Sequence, residues 1–226
     1  MELAPQGARL ILSDIQAETA EATVRMALAK GASAAKSVVC DVSKVEDVEA
    51  LAKAATSAGY GDIDLVVNNA GGVIYGCHVF VPLLRKQGHG HVLNVASAAG
   101  LIHPPQMGAY NVSKAGVVAL SETLAAELVG TKIGVTVLCP TFFKTDIVKS
   151  GRFVDAKSRA AGERLIREGK SAESIARAAM RSVRAGQLYS VPMLDGRVAW
   201  RAKRMVPQVF SQLAGRLGAR RIARGG

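Results

Sequence analysis

Tyr110 and Lys114 stand four positions apart in the stretch AYNVSK, and Ser97 precedes them in the run ASAAG. In a helix, positions i and i+4 share a face, so the phenol and the ammonium point the same way. A free tyrosine titrates near ~10, too high for proton exchange at neutral pH. A neighbouring ammonium favours the phenolate and brings the phenol within reach of general acid–base work. Ser97 adds a hydroxyl that can hold a substrate oxygen beside the phenol. A hydroxyl donor, a tunable phenol and an ammonium together can polarise a carbonyl. Taken alone, Tyr-x-x-x-Lys is a weak pattern, equally at home on a plain surface helix.

The elements around these residues give the pattern a context. ARLILSD (8–14), SVVCDVS (37–43), DIDLVVNNAG (62–71), HVLNVASAAG (91–100), IGVTVLCP (133–140) and QLYSVP (187–192) read as strands. Most are continuous apolar runs, as in a parallel sheet buried on both faces. Between them, AETAEATVRMALAKGA, KVEDVEALAKAATSAG and AYNVSKAGVVALSETLAAELVG carry helical spacing and end near glycine. The pattern predicts an α/β fold with a doubly wound parallel sheet. Ligands of such sheets bind beyond the carboxyl ends of the strands. Asp14, Asp41, NNAG, ASAAG and CPTFFKT crowd that edge, which points to a nucleotide site.

In order along the chain come NNAG after a strand, a serine after the next strand, Tyr-x-x-x-Lys at a helix start, and a proline after a fifth strand. Together these motifs resemble the short-chain dehydrogenase/reductase family, from about Glu2 to about Pro192. The resemblance implies a Rossmann-type fold and hydride transfer between a nicotinamide and an alcohol or ketone. It implies Ser97 as the group stabilising the substrate oxygen and Tyr110 as the acid/base. Lys114 would tune the tyrosine and, with it, hold the nicotinamide ribose. Asn68, Ala70 and Gly71 would line the cofactor near its ribose, and Asp41 and Val42 would contact adenine. Pro140, Phe143 and Thr145 would shape the nicotinamide amide pocket. Asp14 ends the second strand of the family's order, where a carboxylate accepts both adenosine ribose hydroxyls and repels a 2′-phosphate. NAD is therefore expected over NADP. The alternative role for Asp14 is a helix N-cap for the residues that follow.

The chain departs from the family in three places. Thr141 stands where glycine is usual. The glycine-rich strand and turn that cradle the pyrophosphate have no counterpart before ARLILSD, so the sheet is expected to lack its first strand. After NNAGG the sequence passes straight to VIYGCHVFVPLLRK, without the family's asparagine that anchors a proton-relay water. A shortened product, an inactive relative and a sequence from which segments are omitted all fit these departures. Each predicts that the 226-residue chain alone is weakly stable or poorly active.

Composition sets the remaining bounds. The chain is 49% hydrophobic and 21% charged, that of an ordinary globular protein. Cys40, Cys77 and Cys139 lie in apolar runs and read as buried free thiols of a reducing compartment. No metal site is expected, because no ligands cluster, and His91 and His103 read as bystanders. The start shows no signal peptide and no run reaches the ~20 apolar residues of a membrane span, so a cytoplasmic protein is expected. The net charge of +11 is uneven: residues 196–226 hold eight basic residues and no acid, and the rest carries only +3. This divides the chain into a domain over 1–195 and a basic amphipathic tail over 196–226. Within the tail, Val206, Phe210, Leu213 and Leu217 share one helical face. Such a segment can lie on an anionic membrane surface, dock on the protein itself, or join copies into a homo-oligomer. Nucleic acid is not expected, since no aromatic residues interleave the charges.

Overall fold

The structure is a computed structural model and describes residues 2–145 and 156–223. A short 3-10 turn (Ala4–Gln6) leads into β1 (Arg9–Asp14), α1 (Ala17–Ala29), β2 (Ala34–Val39), α2 (Val45–Ser57) and β3 (Leu65–Asn68). Then come α3 (Val73–Gln87), β4 (His89–Val95), the one-turn α4 (Ala99–Ile102), α5 (Gly108–Glu127) and β5 (Lys132–Leu138). After β5 the described elements are α6 (Ala156–Glu168), α7 (Ala172–Arg184), β6 (Tyr189–Ser190), α8 (Leu194–Met205) and α9 (Pro207–Ala223). This is the α/β Rossmann-like alternation that the apolar runs predict. β2 starts earlier than its sequence pattern suggests and stops at Val39. The reason lies at Asp41, whose carboxylate accepts hydrogen bonds from the Ser43 N–H (3.0 Å) and hydroxyl (2.7 Å) and so turns the chain.

The strands form two sheets, one of order β1-β2 and one of order β3-β4-β5-β6. The pairing is parallel in both, with Arg9 opposite Ala34 through Asp14 opposite Val39, and Leu65 opposite His91 through Asn68 opposite Asn94. Among the described residues, β1 pairs only with β2, and β3 only with β4 on its sheet. Burial follows the same division. In β4, Val92, Leu93 and Asn94 are buried, and β5 is buried at Ile133 and from Val135 to Leu138. β1 and β2 contain no buried residue, and β3 contains only Val66. Apolar runs in parallel strands are expected to be covered on both faces, and only β4 and β5 achieve this.

The chain divides into two compact units. The first comprises Met1–Val95, Leu120–Val137 and Ser182–Leu188; the second comprises Ala96–Ala119, Leu138–Arg181 and Tyr189–Gly226. In the first unit, Ala4, Ala27 and Ala32 form a small core against Leu10, Leu12 and Ala35. In the second, α4 packs on α8, and α8 on α9. The basic segment therefore begins inside α8, whose inner side is packed: Trp200 lies 4.7 Å from the Tyr189 ring, centroid to centroid.

The uneven burial has a measurable consequence. Amide hydrogen exchange should show β1 and β3 opening on the order of tenfold or more faster than β4 and β5. Equal protection of the four strands would mean that the free edges of β1 and β3 are covered by another element.

Candidate functional site

The second unit holds Ser97, Tyr110, Lys114 and Pro140. Tyr110 sits half-buried in the first turns of α5, and Lys114 follows one turn later. The Lys114 Nζ stands 5.9 Å from the centre of the Tyr110 ring, so the shared helix face is realised as a cation–π contact. Burial pushes the Lys114 ammonium below its ordinary value, partly opposed by Cys139. The first turn of α5 is tied to the loop before it: the Asn111 Nδ2 donates to the Pro104 carbonyl (2.8 Å) and the Asn111 N–H to that of Met107 (2.7 Å).

Ser97 is fixed from both sides. Its hydroxyl accepts the Ala99 N–H (3.1 Å) and lies 3.5 Å from the Pro140 carbonyl, which also accepts the Ala98 N–H (2.8 Å). The single turn of α4 then runs directly onto the backbone of α5. A Cβ on Gly100 would lie 2.5 Å from the Lys114 carbonyl oxygen and 3.0 Å from the Ala115 nitrogen. Only glycine permits that approach. One helical turn thus connects the serine to the backbone of the lysine, and the sequence reading did not single out Gly100.

Beyond Pro140, Thr141 reaches Asp195 at the start of α8 (3.4 Å). Phe143 is half-buried and bridges to Lys170, where the Lys144 N–H donates to the Lys170 carbonyl (2.9 Å); Thr145 is exposed.

The first unit gathers another set at its strand ends. Asp14 closes β1, its main-chain carbonyl accepting the Cys40 N–H (3.0 Å) and its Oδ1 accepting the Gln16 N–H (2.9 Å). The carboxylate therefore braces the turn into α1; the N-cap position itself is Gln16, which makes no side-chain cap. The Ser43 hydroxyl and N–H hold the Asp41 carboxyl below its ordinary value. Val42 packs against the turn after β3: a Cβ on Gly72 would fall 2.1 Å from the Val42 carbonyl oxygen. Asp14, Asp41, Val42 and the Gly71–Gly72 turn thus line one edge of this unit. Ala70 and Gly71 are exposed, and a Cβ on Gly71 would meet nothing within 4 Å.

Asn68 turns inward. Its Nδ2 donates to the Asn94 Oδ1 (2.9 Å) and lies 3.5 Å from the Cys77 Sγ, while the Asn94 Nδ2 donates to the Ser121 Oγ (3.0 Å). Asn94 and Ser121 are fully buried. The sequence reading placed Asn94 in a strand and assigned it no role; its partners lie 26 and 27 residues away, with no local signal. All three cysteines are free and buried, and burial raises the Cys40 and Cys77 thiols. His91 meets Thr136 at 2.8 Å, and burial lowers it. His103 contacts the Lys203 Nζ, which also donates to the Leu101 carbonyl (2.8 Å).

Comparison with known proteins agrees with the α/β fold. A family model described as short chain dehydrogenase matches residues 72–153, and one described as Enoyl-(Acyl carrier protein) reductase matches residues 1–74. The "Probable oxidoreductase EphD" of Mycobacterium tuberculosis is 34% identical over 68% of this chain, which spans only 30% of that protein's length. The "2-(R)-hydroxypropyl-CoM dehydrogenase" of Xanthobacter autotrophicus is 31% identical, covering 64% of this chain and 68% of its own. A short-chain dehydrogenase/reductase from Burkholderia phymatum, solved in complex with NAD, is 30% identical with a TM-score of 0.80, covering 91% of this chain and 87% of its own. This chain belongs to the short-chain dehydrogenase/reductase family.

Two substitutions test the geometry. Ser43→Ala removes the hydroxyl donor and keeps the backbone N–H, so the Asp41 carboxyl should rise part of the way toward its ordinary value in an NMR titration. The sign follows: stability lent by the depressed Asp41 is present above the ordinary carboxyl pKa and is lost as pH falls through the folded value. An unmoved Asp41 would mean that the Ser43 hydroxyl does not hold it. Gly100→Ala should destabilise by about 1–3 kcal/mol in chemical denaturation, because backbone must move to admit the methyl. A wild-type midpoint would show that α4 and α5 are not in contact.

Proposed function

We propose that this short-chain dehydrogenase transfers a hydride between NAD and an alcohol or carbonyl carbon, with NADP the poorer cofactor. The observation that carries the reading is the Lys114 ammonium held over the Tyr110 ring, one helical turn from a serine anchored at the neighbouring strand end. Each unit, taken by itself, holds residues whose chemistry suits part of a dinucleotide. Asp14 is a carboxylate at a strand end, suited to vicinal ribose hydroxyls, and the open space beside Gly71 leaves backbone approachable. Asp41 and Val42 would face adenine, and Asn68 would act by holding the Ala70–Gly71 turn in place. Pro140, Phe143 and Thr145 would bound the nicotinamide amide.

A bound nicotinamide supplies or takes the hydride. The chain's own residues manage the oxygen and its proton. Ser97 would donate a hydrogen bond to the substrate oxygen. In the oxidative direction the Tyr110 oxygen would accept the proton of the substrate hydroxyl, and in reduction it would return it. Lys114 would favour the deprotonated phenol by its charge and bind the ribose hydroxyls beside it. NAD is favoured because Asp14 would repel a 2′-phosphate and neither Ile15 nor Gln16 offers a compensating charge. The NAD complex of the Burkholderia phymatum relative supports the same choice. An apolar substrate is supported by the exposed Phe142 and by the apolar stretch GLIHPPQMG (100–108); Asp146, Ile147 and Val148, which follow Phe142 in the same stretch, lie outside the described residues.

Tyr110→Phe should lower turnover by on the order of a hundred- to ten-thousandfold. The melting midpoint and its rise with NADH should both survive, since only the proton-carrying oxygen is lost. Full activity in this variant would remove Tyr110 from the chemistry. Asp14→Ala should weaken NADH more than NADPH in a binding titration. An unchanged ratio would mean that Asp14 serves only the turn to Gln16. A wild-type chain that melts identically with and without NADH would sink the redox reading as a whole.

A further inference from the structure

The two C-terminal helices present an apolar surface that nothing in their own unit covers. α8 is docked through one side: Gly196 is buried, Trp200 stacks near Tyr189, and Lys203 is spent on the Leu101 carbonyl and His103. The opposite side carries Leu194, Val198 and Met205, which are 59–81% exposed. These positions, with Arg201, follow the i, i+4, i+7, i+11 spacing of a single stripe. α9 repeats the arrangement from Val206, just before its first residue. Val206, Val209, Leu213 and Leu217 are 49–61% exposed and lie within one narrow arc of the helix. Phe210, which the sequence pattern puts on this face, is half-buried there, and Val209 extends the exposed arc. Arg197, Arg201, Arg204 and Arg216 are exposed alongside. No acidic residue occurs from Gly196 onward.

We propose that α8 and α9 form an interfacial docking surface for an anionic lipid bilayer. Exposed apolar stripes flanked by arginine are what an in-plane membrane helix needs: the apolar side enters the headgroup boundary while guanidinium groups meet lipid phosphates. No helix among the described residues is long and apolar enough to cross a membrane, so the contact is one of lying on the surface. Charge decides between occupants. A second copy would oppose an equally basic acid-free segment, in a chain of net charge +11, and the two would repel. A nucleic acid would satisfy the arginines but leave the leucine and valine stripes against water and phosphate. The bases would also find no free aromatic platform, because Trp200 and Phe210 are both half-buried. Only an anionic bilayer complements both the charge and the apolar stripes. The surface does not depend on the redox chemistry proposed above.

The test is sedimentation of the full chain with phosphatidylcholine vesicles, with and without phosphatidylserine. Binding should require phosphatidylserine and fall as salt is raised. Arg197→Gln, Arg201→Gln and Arg204→Gln combined should weaken it by on the order of a hundredfold. Leu213→Asp with Leu217→Asp should weaken it about tenfold or more. Arg204 lies over the Trp200 ring, so its substitution should lower the midpoint slightly, while the other four positions are exposed and should leave it unmoved; a larger shift directs the test to the salt dependence of the unaltered chain. The proposal is overturned by absent or salt-indifferent binding, or by variants that bind as the parent does. It is equally overturned if light scattering finds a dimer that the leucine variants dissolve without any vesicle binding. Tighter retention on duplex DNA than on anionic vesicles would likewise overturn it.

Discussion

A buried amide on the fourth strand organises the first unit. Asn94 is fully enclosed in β4, where an unpaired polar group would cost about 1–3 kcal/mol. It is paired on both sides: its Oδ1 accepts from Asn68 at the end of β3, and its Nδ2 donates to Ser121 on α5. Cys77 of α3 lies against the same Oδ1 at 3.6 Å. Two strands and two helices are thereby held in one register by four side chains that meet in the interior. The requirement extends to α3, where Gly76 leaves room for Asn68; a Cβ there would fall 2.1 Å from the Asn68 Oδ1. Because Asn68 is fixed, the turn that follows it is placed, and Gly72 meets Val42 at the ends of β3 and β2.

The second unit depends on a different constraint, the close approach of two backbones. Gly100 lies against the Lys114 peptide, and Ser97 begins the same helical turn. Ser97 in turn is linked through Pro140 to the end of β5. A serine, a tyrosine and a lysine could be brought near one another in many ways. Here the turn that Ser97 begins and the helix that carries Tyr110 and Lys114 meet through main-chain packing rather than through flexible side chains. Burial of Lys114 sharpens the consequence, since a partly desolvated ammonium interacts more strongly with a neighbouring phenol than one in water.

The same unit ends in two helices whose docked sides are small or aromatic and whose free sides are apolar and basic. Lys203 shows the division within one element. It points inward to a carbonyl and a histidine and Arg204 lies over the Trp200 ring, whereas Arg197 and Arg201 are exposed. A protein that keeps valine, leucine and methionine in water on one surface maintains an unfavourable exposure there unless something covers it.

Much of this was legible in the order of the residues. Alternating apolar runs and helical spacing fix the α/β class, and the i, i+4 relation of Tyr110 and Lys114 is a property of one helix that no tertiary contact alters. The acids and glycines at strand ends, and the family resemblance they carry, were equally local. Tertiary structure alone decided the rest. It turned Asn68 inward, gave Asn94 and Ser121 their roles, made Gly100 indispensable beside Lys114, and left β1 and β3 thinly covered while enclosing β4 and β5. It also left Phe210 half-buried and Val209 exposed on the last helix. The physical reason is range. Periodicity and turn chemistry act over a few residues, whereas burial and hydrogen-bond pairing join groups 26 or more residues apart, and only the folded chain selects which of them meet.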